Sequence, residues 1–200
     1  MSSFNKLKSD IISNVISSIS NNRFVTYNTI VQSARNIKIE KAVCDLIFPC
    51  ELNSFVQDVI HLWNAETLKQ LPSNFETLRF SQKVKCLLNK KMEIASNKRS
   101  FFIAMLKTLS FPQNALIMQE NTIKDVNFLL SQAGDTSTNF TFYTKRAVMY
   151  SIYIAVMLRF AKNSNVQEFI EKSIDNLKYI SVAKQYIADF SLTKVIKKFF

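Results

Sequence analysis

The sequence predicts an all-α protein in which a three-helix, helix-turn-helix-like head precedes a larger helical bundle. Three observations point there. The 200 residues include one Gly and three Pro, too few for the turns that join the strands of a sheet. Apolar residues recur at helical spacing through successive segments. The breaks between those segments are short, as expected for long helices with tight joints. The 20 Ile and 18 Asn, with abundant Lys, reflect coding bias as much as chemistry, so isoleucine is not counted as strand evidence.

The first helix runs from Lys6 to Ser20 on the spacing of Leu7, Ile11, Ile12, Val15, Ile16 and Ile19, and Asn21-Asn22 breaks it. Thr26 can cap a short helix to about Arg35. Asn36 to Lys38 form a turn, and a third helix runs from Ile39 to Ile47. Pro49 separates this head, residues 1–48, from the bundle. The next helix spans about Leu52 to Leu71, and Pro72-Ser73-Asn74 marks a joint. A long helix follows from Glu76 to about Asn97, then a short greasy one from Arg99 to Leu109 that Phe111-Pro112 ends. Helices from Asn114 to Gln132, Asn139 to Ala161 and Val166 to about Ile180 complete the bundle, the last capped by Ser164. The bundle domain is therefore 49–181, and residues 182–200 form a separate C-terminal amphipathic helix.

The net charge of +11 is uneven. Residues 1–74 carry seven basic and six acidic groups, while 75–134 and 135–200 each carry a net +5. That field suits anionic lipid, acidic protein or nucleic acid, and equally an ordinary basic surface. Cys44, Cys50 and Cys86 form no dense disulfide pattern and suit a reducing compartment. His61 is the only histidine, which argues against a zinc site of the usual kind. The N-terminus shows no signal-peptide pattern. The longest uncharged apolar stretch, Ala147 to Leu158, is too short to span a bilayer.

Two function classes fit poorly. A DNA-reading head needs donors for base edges inside a basic surround, but Arg35, Lys38 and Lys41 are offset by Glu40 and Asp45, and the third helix is mostly apolar. An enzyme needs a constellation, and no paired histidine, glycine-rich phosphate loop or cysteine–histidine spacing is present. No catalytic residue, metal or cofactor is assigned.

The segment AGDTSTNFTFYTKR, residues 133–146, holds the one glycine. Gly134 can end a helix in the left-handed conformation, and Asp135, Ser137 and Thr138 can bind the free amides of the next helix start. Capping leaves Phe142-Tyr143 and Lys145-Arg146 unexplained. At helical spacing Phe142, Lys145 and Arg146 share one side, and Phe140, Tyr143 and Ala147 another. Aromatic and arginine side chains together are typical of protein interfaces.

This segment, with Ala147, Tyr150 and Tyr153 after it, closely resembles the signature of the COQ9 family, A-G-D-x-S-T-D-F-N-W-Y-T-[KR]-R. The chain keeps Ala133, Gly134, Asp135, Ser137, Thr138, Phe140, Tyr143, Thr144 and Arg146. It has Asn139 for Asp, Thr141 for Asn and Phe142 for Trp, and Leu130 where a Trp often precedes the motif. Phe48-Pro49 also resembles a family Phe-Pro, with Cys50 for the usual Gly. The resemblance implies a TetR-like fold without DNA reading and a homodimer; the alternative is a ligand-responsive TetR-like transcriptional regulator that binds DNA, or a helical scaffold that holds no lipid. The resemblance also implies a non-catalytic accessory role in ubiquinone biosynthesis, with an isoprenoid lipid or quinone precursor bound in the bundle. The expected partner is a COQ7-type di-iron hydroxylase acting on demethoxyubiquinone, contacted through Asn139, Phe142, Tyr143 and Arg146. Asn139 and Phe142 bring a lost charge and a lost indole donor to that surface.

The candidate lipid-lining residues are Phe101, Phe102, Met105, Leu106, Leu109, Leu116, Ile117, Phe128, Met149, Ile152, Tyr153, Val156 and Met157. Aromatic and Met side chains suit a long, irregular chain, although the same set describes an ordinary core. In the tail, Ala188, Leu192, Val195, Ile196 and Phe199 form one apolar stripe, with Lys194, Lys197 and Lys198 opposite. Leu192, Lys194, Val195, Ile196, Lys197, Lys198 and Phe199 are the expected contacts with an anionic membrane, each lysine adding roughly 1 kcal/mol. Another subunit could fill the same role. The preceding stripe of Val182, Ala183, Tyr186, Ile187 and Phe190 points elsewhere. The expected location is the inner face of a bacterial membrane, peripherally bound from the cytoplasm, with the matrix side of the mitochondrial inner membrane as the alternative.

Overall fold

The computed structural model describes residues 3–19, 24–162 and 165–176, and all of its regular structure is helical. The helices are α1 (Ser3–Ser18), α2 (Tyr27–Asn36), α3 (Lys41–Ile47), α4 (Glu51–Lys69), α5 (Phe80–Asn97), α6 (Arg99–Leu109), α7 (Ala115–Gln132) and α8 (Asn139–Ala161). A ninth, α9, covers 166–176. The expected break at Asn21-Asn22, the Ser164 cap, the extension of α9 to Ile180 and the whole tail stripe lie outside the described residues.

Local chemistry sets most boundaries. Thr26 caps α2 through a reciprocal box: the Thr29 amide donates to Thr26 Oγ1 at 3.3 Å, and the Thr26 amide to Thr29 Oγ1 at 2.9 Å. Lys38 turns the chain at φ 60, and its amide donates to the Arg35 carbonyl at 2.9 Å. Helix α3 begins at Lys41, two residues later than the spacing predicts, because Ile39 is buried in the extended approach to it. The helix expected from Glu76 is split. Phe75–Thr77 form a single 3₁₀ turn that buries Phe75, Leu78 and Arg79 are extended, and α5 starts at Phe80. The Arg79 amide donates to Gln82 Oε1 at 3.0 Å, so this start is capped from within.

Two cores hold the helices together. The first joins α1, α2 and α3 to α4 and α6, with Ile11, Ile12, Ile30, Ile47, Phe48, Phe55, Val56 and Phe101 at its centre. The second joins α5, α6, α7, α8 and α9 through Leu87, Leu88, Phe102, Leu129, Leu130, Val156 and Ile170. Trp63 and Met118 pack against both. A run of rings crosses the boundary. Phe48 meets Phe55 at 5.5 Å between centroids, Phe55 meets Phe101 at 6.4 Å, and Trp63 stands edge-on to Phe101 at 6.2 Å. Trp63 then stacks on Phe102 at 5.8 Å, and Phe102 meets Phe160 at 4.8 Å. Each such pair contributes roughly 0.5–1.5 kcal/mol beyond its buried area. Polar ties add register. The Val25 amide donates to Thr108 Oγ1 at 2.8 Å, and Arg99 caps the end of α8 by donating to the Phe160 carbonyl at 2.7 Å.

No single described helix is long and apolar enough to cross a membrane. Helices α6 and α7 pass that test only as a pair bent by 95°, and both contribute to the cores.

Candidate functional site

The turn between α7 and α8 is built around one acid. Gly134 sits at φ 85 with open space where a side chain would stand. Its amide donates to the Ser131 carbonyl at 3.0 Å, and the Asp135 amide to the Leu130 carbonyl at 2.9 Å. This is the Schellman arrangement, which satisfies the last carbonyls of α7. It also delivers Asp135 into the space beside α8. The carboxylate is only 1% exposed and accepts from four groups. They are Lys145 Nζ at 2.8 Å, Arg146 Nη1 at 3.1 Å, Ser137 Oγ at 2.9 Å and the Ser137 amide at 3.3 Å. Burial alone would raise the Asp135 pKa. The hydrogen bonds from Lys145 and Ser137 and the lysine charge outweigh it and bring the group down to about 2. Thr138 occupies the cap position of α8 but makes no side-chain capping bond, contrary to the expectation for it. Asp135 instead reaches an amide one residue earlier, at Ser137.

The same acid aims the aromatic pair. Arg146 donates through Nε to Asn127 Oδ1 at 2.7 Å and through Nη1 to the Phe142 carbonyl at 3.2 Å. Its guanidinium lies 3.2 Å from the centre of the Phe142 ring, a stacked cation–π contact. Phe142 in turn meets Tyr143 edge-on at 5.2 Å. Of the residues expected at a partner surface, Arg146 is turned inward and Phe142 is half-buried, while Tyr143 projects with 71% of its surface exposed. The side chain of Asn139 lies outside the described set. Asn127 and Phe80, over whose ring Lys145 sits at 5.1 Å, belong to the same assembly. Sequence spacing gave no sign of either, because both come from other helices.

The interior holds a second constellation. A cavity of about 30 Å³ lies between α4, α6, α7 and α8. Six of the expected lining residues reach it: Phe102, Met105, Leu106, Leu109, Tyr153 and Met157. Phe101 and Ile117 pack in the first core, and Phe128, Met149, Ile152 and Val156 in the second. Leu116 does not face inward; it is 79% exposed, because the 3₁₀ turn Pro112–Asn114 starts α7 with that side outward. One wall is polar, made by Asn121, Thr122 and Asp125 of α7 with Tyr153 of α8. Lys91 Nζ donates at 2.5 Å to both Asp125 Oδ1 and Asn64 Oδ1, and the Tyr153 hydroxyl donates to Asp125 Oδ2. Lys91 and Asp125 are both buried. Burial pushes the Lys91 ammonium below its ordinary value against the pull of Asp125. Burial, then Asp125, pushes the Tyr153 phenol up. The network was readable in part: Lys91 and Asp125 stand at core positions of their helices, beside Leu87, Leu88 and Ala95 and beside Val126 and Leu129.

Residues 118–181 match the COQ9 family model. That segment carries the polar cavity wall, the Gly134 turn and all of α8. No curated protein matches the chain.

Proposed function

We propose that this protein is a non-catalytic, TetR-like accessory protein of ubiquinone biosynthesis. In this reading it holds an isoprenoid lipid or quinone precursor in its bundle and presents demethoxyubiquinone to a COQ7-type di-iron hydroxylase. The observation that carries the reading is the coincidence of the COQ9 match with the Asp135-centred turn and the exposed Tyr143 beside it. A capping turn needs no projecting ring, whereas a docking surface uses one. The head supports an interaction role over DNA reading. Asp45 is bonded to Tyr27 Oη at 2.5 Å, and the outer side of α3 presents Val43 and Leu46 where base-reading donors would stand. A homodimer, with the tail contacting an anionic membrane from the cytoplasmic face, completes the proposal.

One observation favours a helical scaffold that binds no lipid: the cavity has room for about one small group. Gentle purification followed by lipid mass spectrometry separates the readings. Near-stoichiometric isoprenoid lipid, retained by the Phe142→Ala, Tyr143→Ala variant that no longer captures the hydroxylase, is the expected result. A lipid-free protein from quinone-making cells would leave the scaffold.

A further inference from the structure

The polar wall of the cavity is more than a buried ion pair. Lys91 does not line the cavity; Asp125 does. The carboxylate is thus held by Lys91, outside the lining, on one oxygen and by Tyr153, beside it in the cavity wall, on the other. Each carboxylate oxygen can accept two hydrogen bonds, and the phenol oxygen of Tyr153 keeps its lone pairs after its proton is committed. Thr122 stands one turn before Asp125 on the same side of α7. It is 5% exposed, and no described hydrogen bond engages its hydroxyl. Thr122 lines the cavity beside two acceptors whose own donors are already placed.

We propose that Thr122, Asp125 and Tyr153 form a hydrogen-bonding subsite for a neutral amphiphile whose ring carries a free hydroxyl. The inference rests on the lipid-holding reading above and says which head group that lipid presents. A ring hydroxyl donates to Asp125 or to the Tyr153 oxygen, and its own oxygen accepts from the Thr122 hydroxyl. A ring bearing only carbonyls finds one donor, Thr122, and two acceptors it cannot use. An anionic head meets a carboxylate whose countercharge is on the far side. The subsite therefore favours the hydroquinol form of a ring over its quinone form. Met105, Met118 and Met157 surround the remaining space. Their unbranched side chains can turn to admit a ring that the resting cavity does not hold.

Trp63 is the one tryptophan in the chain and lines the same cavity, so its emission reports occupancy. The test titrates the full chain with para-hexylphenol, para-hexylanisole and para-hexylbenzoate, three probes that share ring and tail and differ in head. Saturable phenol binding is expected, with the methyl ether and the carboxylate roughly tenfold weaker, about the net worth of one hydrogen bond. Thr122→Val is near-isosteric and breaks no described hydrogen bond. It should cut phenol affinity about fivefold, and Thr122→Ser should restore the phenol. Equal binding of phenol and ether, tightest binding by the benzoate, or indifference to Thr122→Val would overturn the subsite and leave lipid holding intact. If none of the three probes moves Trp63 emission, lipid holding fails and the subsite with it. Circular dichroism of each variant confirms that the fold is kept.

Discussion

At the scale of single residues, two buried acids do different work. Asp135 gathers Lys145, Arg146 and Ser137 and so fixes where Phe142 and Tyr143 point. Its pKa in the folded protein is depressed, so its contribution to stability is present above the unfolded value near 4 and is lost as pH falls toward about 2. That contribution is on the order of 1–2 kcal/mol, reduced because Lys145 is partly exposed. Asp135→Asn should reduce the acid-side slope between pH 4 and about 2 in urea melts read at several pH values. An unchanged slope would mean the acid is not the anchor. Asp125 is fully enclosed with Lys91. Asp125→Ala should cost about 3–5 kcal/mol, because an unpaired ammonium is left inside. Lys91→Met with Asp125→Leu should recover most of that loss. A double variant no better than the single one would show that Tyr153 and Asn64, not the charge, set the cost.

At the scale of elements, the sequence announced what is chemically local. Thr26, the Lys38 turn and Gly134 were legible because each depends on a cap or turn within a few residues. The break before α5 was not. Its 3₁₀ turn exists because Phe75 is drawn into the second core by residues far along the chain, so helical spacing ran straight through it. The same limit applies to the site. AGDTST was readable as a stop and a start, but Asn127, Phe80 and Lys91 reach the sites from other helices. The Gly134 turn gives a clean prediction. A methyl group there meets open space, so Gly134→Ala is charged only for backbone conformation. The cost is about 1 kcal/mol, and Gly134→Asn should cost less. Thermal melts of the two variants decide it, and a loss several times larger would reveal a contact made by this turn in an assembly.

At the scale of the whole molecule, the head is not sealed by its own residues. Ile11, Ile30 and Ile47 share a core with Phe55, Val56, Phe101 and Leu109, and the aromatic run continues from there to Phe160. Helical circular dichroism and Trp63 emission should therefore lose signal at one common midpoint. Removing residues 1–48 should leave a chain that exposes apolar surface and binds a hydrophobic dye, instead of a folded bundle. Two separated midpoints, or a stable truncated bundle, would show that the two cores are independent. The composition pointed to helices and to a basic later part of the chain. It could not show that one core runs through both, because the head and α6 meet across a long sequence separation, as where the Val25 amide donates to Thr108, 83 residues on.

The amide of Val25 is bonded by Thr108, and the hydroxyl of Thr108 in turn donates to the Ala104 carbonyl. On a ribosome this order has a temporal meaning. The head leaves the exit tunnel complete in sequence, yet its lid is α6, which follows roughly sixty residues later. At about 5–20 residues per second, the nascent head waits several seconds with Ile47, Phe48 and their neighbours uncovered. A chaperone that screens nascent apolar surface has its opportunity in that interval, and slowing codons between residues 50 and 100 would lengthen it.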